Sequence, residues 1–73
     1  MVLELIRFWL CDRFGCEDEI SLASTFDSLN VHFGELAELA MVVGERFGVE
    51  IPDEELESFA TVEDMVAYVE DHL

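Results

Sequence analysis

Apolar residues recur at intervals of three and four along two long stretches of the chain, the spacing of helices that each bury one face. The first stretch ends at Gly15, and the second runs from about Phe33 to Phe47 and ends at Gly48. Glycine often occupies the left-handed position just after a helix, so both glycines predict helix ends. The apolar positions are Leu3, Ile6, Leu10 and Phe14 in the first stretch, and Leu36, Leu39 or Ala40, Val43 and Phe47 in the second.

Two further helices are predicted after the second. Pro52 and Asp53 begin a short one that reaches about Phe59. Thr61 and Asp64 have the spacing of a capping box, with aspartate in place of the usual glutamate, and they predict the start of a fourth helix. Its apolar positions are Val62, Met65, Val66 and Val69.

A long loop separates the first two helices, from Gly15 to about His32. A loop of this length in a small domain is either functional or packed by its own side chains. The pattern as a whole predicts a single all-α domain over residues 1–73, a four-helix bundle in which the third helix is short. The apolar anchors expected in the loop are Ile20, Leu22, Phe26 and Leu29.

The charge of the chain narrows the choice of partner. Eighteen acidic and three basic residues give a formal net charge of −15. Such a chain repels phosphates, which excludes nucleic acid and disfavours anionic membrane surfaces. The expected partner is therefore a protein with a basic surface. A hydrophobic content of 52% is enough for a packed core and argues against global disorder.

Other classes of function find no support in the residues. No apolar run approaches the roughly 20 residues of a membrane span, and Met1–Glu4 lacks the basic start of a signal peptide, so a cytoplasmic location is expected. Cys11 and Cys16 are expected to be reduced thiols, and with only His32 and His72 beside them they lack zinc-ligand spacing. No metal site is expected. No nucleophile–base pair is visible either, so we expect no catalytic residue and no enzyme.

The segment from Ile20 to Pro52 reads I-S-L-A-S-T-F-D-S-L-N-V-H-F-G-E-L-A-E-L-A-M-V-V-G-E-R-F-G-V-E-I-P. It resembles, without a gap, the pattern of the acyl carrier protein family, roughly I-S-x-x-x-x-F-x-x-L-G-x-D-S-L-x-x-x-E-L-x-M-x-x-E-x-x-F-G-x-x-I-P. The end of the chain, from Glu63 to Val69, is similar to the T-V-x-D-L-V-x-Y-V ending of the same family. Matching positions include Ile20, Phe26, Leu29, Glu38, Leu39, Met41, Phe47, Gly48, Ile51 and Pro52.

The resemblance implies a carrier-protein bundle, and it also identifies a departure at the site where carriers are modified. The D-S-L serine of the family carries the 4′-phosphopantetheine arm, whereas the corresponding tripeptide here is His32-Phe33-Gly34. A phenyl ring has no nucleophilic oxygen, so no prosthetic group is expected at Phe33. Histidine is also a poorer helix cap than the family's aspartate, and asparagine at Asn30, where the family has glycine, tolerates left-handed backbone.

An alternative attachment site lies five residues upstream, where Asp27-Ser28-Leu29 spells the family motif. Modification at Ser28 requires an insertion of more than one helical turn before Phe47-Gly48, which rotates every later position on the helix. The gapless register is therefore preferred. A functional carrier with phosphopantetheine on Ser28 stays as the alternative.

The partner-binding face of the family is largely retained. The resemblance assigns Glu35, Glu38, Met41 and Glu45 to the surface that engages basic patches on carrier-recognising enzymes, while Gly44 stands where the family has a glutamate. His32 and Phe33 adjoin this surface. Two orientations of Phe33 are open, inward over the cleft between the second and third helices or outward as an aromatic anchor, and the outward one is favoured because helix N-termini are exposed in this architecture.

The expected function is that of a non-enzymatic, non-carrying interaction or regulatory module. It would dock onto enzymes of fatty-acid, polyketide or nonribosomal-peptide type pathways, and it would be a monomer or a weak homodimer. A third class of function is self-association through exposed aromatic residues, for which Phe8, Trp9 and Phe33 are the candidates.

Overall fold

A computed structural model describes residues 2–15 and 20–73. Four helices follow one another: α1 (Val2–Phe14), α2 (Phe33–Phe47), α3 (Asp53–Leu56) and α4 (Val62–Asp71). Within the described residues no strand forms, and the only extended pairing is an isolated bridge between Thr25 and Thr61. The all-α bundle with a short third helix is confirmed.

The core lies where the four helices meet. Helix α1 packs against α2 and α4, and α2 also contacts α3 and α4. The apolar faces predicted from the sequence form most of this core. The sequence left open whether Leu39 or Ala40 faces the core, and both are buried. The largest fully buried side chains are Ile6, Leu10, Leu39, Val43, Leu56, Val62, Met65 and Val69.

The long loop is held down by backbone hydrogen bonds to the start of α4. The Phe26 N–H donates to the Ala60 carbonyl at 3.0 Å, and the Val62 N–H donates to the Ser24 carbonyl at 2.9 Å. Buried Phe26, together with Ile20 and Val31, anchors the loop in the core. The ordered path of residues 20–32 sets the point at which α2 begins.

The predicted cap of α4 is present. The Asp64 N–H donates to Thr61 Oγ1 at 3.2 Å, and the N–H groups of Thr61 and Ala60 donate to Asp64 Oδ2 at 3.0 and 2.8 Å. These backbone donors favour the ionised carboxylate and lower the pKa of Asp64.

Three expectations need correction. Phe14 is exposed, because it lies at the rim of a cavity of about 250 Å³ that Leu10 and Ile20 also line, rather than under another element. Leu22 is exposed as well and does not anchor the loop. Cys11 is disulfide-bonded, so the expectation of reduced thiols is wrong for this residue; Cys16 lies outside the described residues.

Helix α2 ends as predicted, with Gly48 in the left-handed region at φ 70°. The chain then folds back so tightly that the Val49 N–H donates to the Gly44 carbonyl at 2.9 Å. Gly44 is buried, and a β-carbon built on it would lie 2.5 Å from the Val49 carbonyl oxygen. Position 44, where the family has a glutamate, therefore faces the bend after α2.

We expect Gly44→Ala to lower the free energy of unfolding by about 1–3 kcal/mol, because a backbone oxygen must move to admit the methyl group. That cost exceeds the gain in helix propensity of up to about 1 kcal/mol. Gly34→Ala is the matched control, as nothing lies within 4 Å of its added β-carbon, and it should be neutral or stabilising. Thermal unfolding followed by circular dichroism separates the two variants, and equal midpoints would contradict the prediction.

Candidate functional site

The first turn of α2 is the candidate site. His32 is its N-cap residue, with extended backbone at φ −89° and ψ 175°, and its side chain makes no capping hydrogen bond. The His32 N–H donates to Glu35 Oε1 at 3.2 Å, which is the reverse half of a capping box. The capping hydrogen bond at the start of α2 is therefore made by the side chain of Glu35, in the first turn of the helix. This is expected where histidine replaces a good N-cap residue.

Phe33 is the first residue of α2, and half of it (50%) is exposed to solvent. A groove of about 490 Å³ runs between α2 and α3, and Phe33 is not among the residues that line it. The ring therefore does not cover the cleft between these helices, and the outward orientation is the one observed. The groove is lined mainly by Ala37, Ala40, Met41, Gly44, Ile51 and Leu56.

Three of the four side chains assigned to the partner-binding surface lie on one outward face of α2. Glu38, Met41 and Glu45 are all exposed, and their spacing of three, four and seven residues places them along a single stripe. Met41 is 65% exposed, although it is apolar. We call this stripe, together with the exposed Phe33 in the first turn of α2, the docking face.

Glu35 departs from the docking face. Its side chain is only partly exposed and accepts the hydrogen bond from His32. Position 35 is rotated by roughly 120° from position 41 about the helix axis at 100° per residue. Glu35 therefore serves the cap of the helix more than the outward surface.

Arg13 is a residue of this surface that the sequence pattern did not indicate. Its Nη1 lies 2.8 Å from Glu38 Oε2, which joins the last turn of α1 to the docking face. Its guanidinium also lies over the Trp9 ring, 4.7 Å from the centroid. Trp9 and Arg13 are one turn apart on α1, and this spacing could have predicted their contact. No local pattern predicts the pairing of Arg13 with Glu38, which lies 25 positions later in the chain.

Ser28 lies in an exposed turn and not at a helix start. Its hydroxyl donates to the Thr25 carbonyl at 2.9 Å, and its N–H donates to Thr25 Oγ1 at 3.1 Å. Asn30, two residues later, has φ 60°, the left-handed conformation expected where the family has glycine. These contacts make residues 25–30 a turn that leads into α2.

Metal sites and membrane spans are both absent from the part of the chain that the structure describes. No group of three or more histidine, cysteine or acidic side chains in that part is arranged to hold a metal ion. No helix among those described is both long enough and apolar enough to cross a bilayer.

Known proteins similar to this chain agree with its fold. The profile of the phosphopantetheine attachment site family matches residues 4–69. An acyl carrier protein of Clostridium perfringens is 46% identical over 57 residues, 77% of this chain and 75% of that protein. The acyl carrier protein of Rubrobacter xylanophilus is 41% identical over 73 residues (97% and 90%), and that of Zymomonas mobilis is 37% identical over 71 residues (94% and 91%). The chain therefore belongs to the acyl carrier protein family.

Proposed function

We propose that this protein is a carrier-like module that carries no prosthetic group and acts by docking onto an enzyme that recognises acyl carrier proteins. The observation that carries the proposal is the exposed phenyl ring of Phe33 at the first position of α2. In the gapless register this is the position of the attachment serine. An enzyme that binds this surface therefore contacts an apolar ring at the position where an acyl carrier protein has its modified serine.

The bounds of α2 support the gapless register. The helix begins at Phe33 and ends at Phe47, with Gly48 as its left-handed cap. Moving the attachment site to Ser28 would put it in the turn of residues 25–30, where its hydroxyl is already a donor to Thr25. A carrier modified at Ser28 is therefore the less favoured alternative.

The docking face supports the choice of partner. Glu38 and Glu45 flank an exposed methionine, a flexible apolar side chain that adapts to different surfaces. The chain carries a net charge of −15, which accelerates encounter with a basic patch. We infer a partner with basic groups around an apolar contact, as in enzymes of fatty-acid, polyketide or nonribosomal-peptide type pathways.

The remaining features of the proposal follow from the same surface. The protein acts without catalysis, in the cytoplasm, and its effect on the partner is regulatory or structural. His32 and Glu35 contribute by defining the start of α2 beneath Phe33. The protein acts as a monomer or a weak homodimer.

A competition assay tests the docking. A broad-specificity phosphopantetheinyl transferase is given the Clostridium perfringens acyl carrier protein as substrate, and our chain is added as a competitor. We expect inhibition, and Glu45→Lys should weaken it about tenfold because a like charge then faces the basic partner.

Glu70→Lys is the matched control, with the same change of charge at an exposed position of α4. It should leave inhibition nearly unchanged. Absence of inhibition by the unmodified chain, or equal losses for the two variants, would refute docking through α2.

A further inference from the structure

We propose that Arg13 is an intramolecular competitor for the docking face, holding Glu38 until a basic partner displaces it. The inference deepens the proposed function and rests on it for its biological role. The contact itself belongs to the folded chain and can be tested without any enzyme.

The Arg13 side chain contacts two residues of the same chain, Glu38 and Trp9. Its Nη1 lies 2.8 Å from Glu38 Oε2, with the two side chains 49% and 56% exposed. Its guanidinium carbon lies 4.7 Å from the centroid of the Trp9 ring. Trp9 packs against the core, so it offers Arg13 a fixed platform. The cation is thereby positioned over the same carboxylate that the docking face would offer to a partner.

The consequence concerns the charge that a partner meets. The chain has only three basic residues, and one of them, Arg13, is bound to Glu38, one of the two acidic residues of the docking face. A lysine or arginine of a partner that is to pair with Glu38 must first replace Arg13. Glu45 lies two turns further along the stripe, so the first encounter is expected there.

The strength of the contact suits reversible displacement. Exposed ion pairs contribute little, which corresponds to a change of about 1.5- to 5-fold in an equilibrium constant. Arg13 therefore lowers the affinity of a cation for Glu38 by up to about fivefold without blocking the site. Salt screens the pair and the incoming cation alike, so the effect is largest at low ionic strength.

Titration with hexalysine, followed by the backbone amide resonances of α2, tests the inference on the full chain. Arg13→Gln should tighten binding at Glu38 by about 1.5- to 5-fold relative to the unchanged protein. Arg46→Gln is the matched control, because it removes the same charge from a residue whose guanidinium lies over Phe47. It should show only the small gain due to net charge.

A double variant separates the pair from a general charge effect. Adding Glu38→Gln to Arg13→Gln should abolish the gain, whereas Glu38→Gln alone should change binding less than it does in the Arg13→Gln background, because Arg13 already competes for Glu38. Equal gains for Arg13→Gln and Arg46→Gln would overturn the inference. A gain that survives Glu38→Gln would overturn it too.

The emission of Trp9, the single tryptophan of the chain, gives a second readout. Displacement of Arg13 from the ring should change this emission when hexalysine is added, and the change should be absent in Arg13→Gln. Both readouts are independent of the transferase competition assay. If hexalysine displaces Arg13 but the chain does not inhibit the transferase, the proposed function fails and this inference stands. If the chain inhibits the transferase but the two arginine variants show equal gains, this inference fails and the proposed function stands.

Discussion

Incubation of the purified chain with a broad-specificity phosphopantetheinyl transferase and coenzyme A is expected to leave its intact mass unchanged. The transferase needs a hydroxyl at the start of the second helix, and Phe33 offers a phenyl ring there. Ser28 does not replace it, because its hydroxyl lies five residues before α2 and donates to the Thr25 carbonyl. Intact-mass spectrometry of the whole chain measures the result directly, because a working carrier gains the mass of one phosphopantetheine and this chain is expected to gain none.

The control for this experiment restores the attachment site. Phe33→Ser, alone and together with His32→Asp and Gly34→Leu, rebuilds the D-S-L motif of the family on the same helix. We expect the triple variant to gain one phosphopantetheine, and peptide mapping should locate it at position 33. A mass gain in the unchanged chain that maps to Ser28 would show that the protein is a working carrier and that the gapless register is wrong.

Replacement of Leu39 by alanine is expected to cost about 2–5 kcal/mol in the free energy of unfolding. Leu39 is fully buried in α2, the helix that contacts all three others. Removing its side chain loses hydrophobic transfer energy and leaves a cavity that a rigid core refills only in part. Because the core that 73 residues can form is small and its total stability low, this loss is a large part of that stability.

Met41→Ala is the control for Leu39→Ala. The two side chains are two residues apart on the same helix, and both are apolar, but Met41 is 65% exposed. We expect its replacement to change the free energy of unfolding by no more than about 0.5 kcal/mol. Urea denaturation at constant m-value measures both variants. A large loss in Met41→Ala would mean that the methionine is part of the core and not of the docking face.

The orientation of α2 underlies both predictions. One side of the helix supplies Leu39 to the core, and the other presents Met41 and Glu45 to solvent. In the proposed function, stability and docking depend on different residues of one helix. We therefore expect substitutions in the docking face to leave the bundle folded.

Elements with local signals could be predicted from the amino-acid order alone. The start of α2 at Phe33, its end at Gly48 and the cap formed by Thr61 and Asp64 were all predicted. Each depends on backbone preferences and hydrogen bonds within four or five residues, so the signal and the structure lie in the same short stretch. The apolar periodicity likewise identified the buried faces of the helices.

Which exposed residues act together became apparent only in the folded chain. The approach of Gly44 to the Val49 carbonyl and the pairing of Arg13 with Glu38 depend on how helices and bends meet. Residues 13 and 38 are separated by a long loop, and no periodicity within one helix encodes the distance between two helices. These contacts follow from packing of the whole core, which sets the positions of α1 and α2 relative to each other.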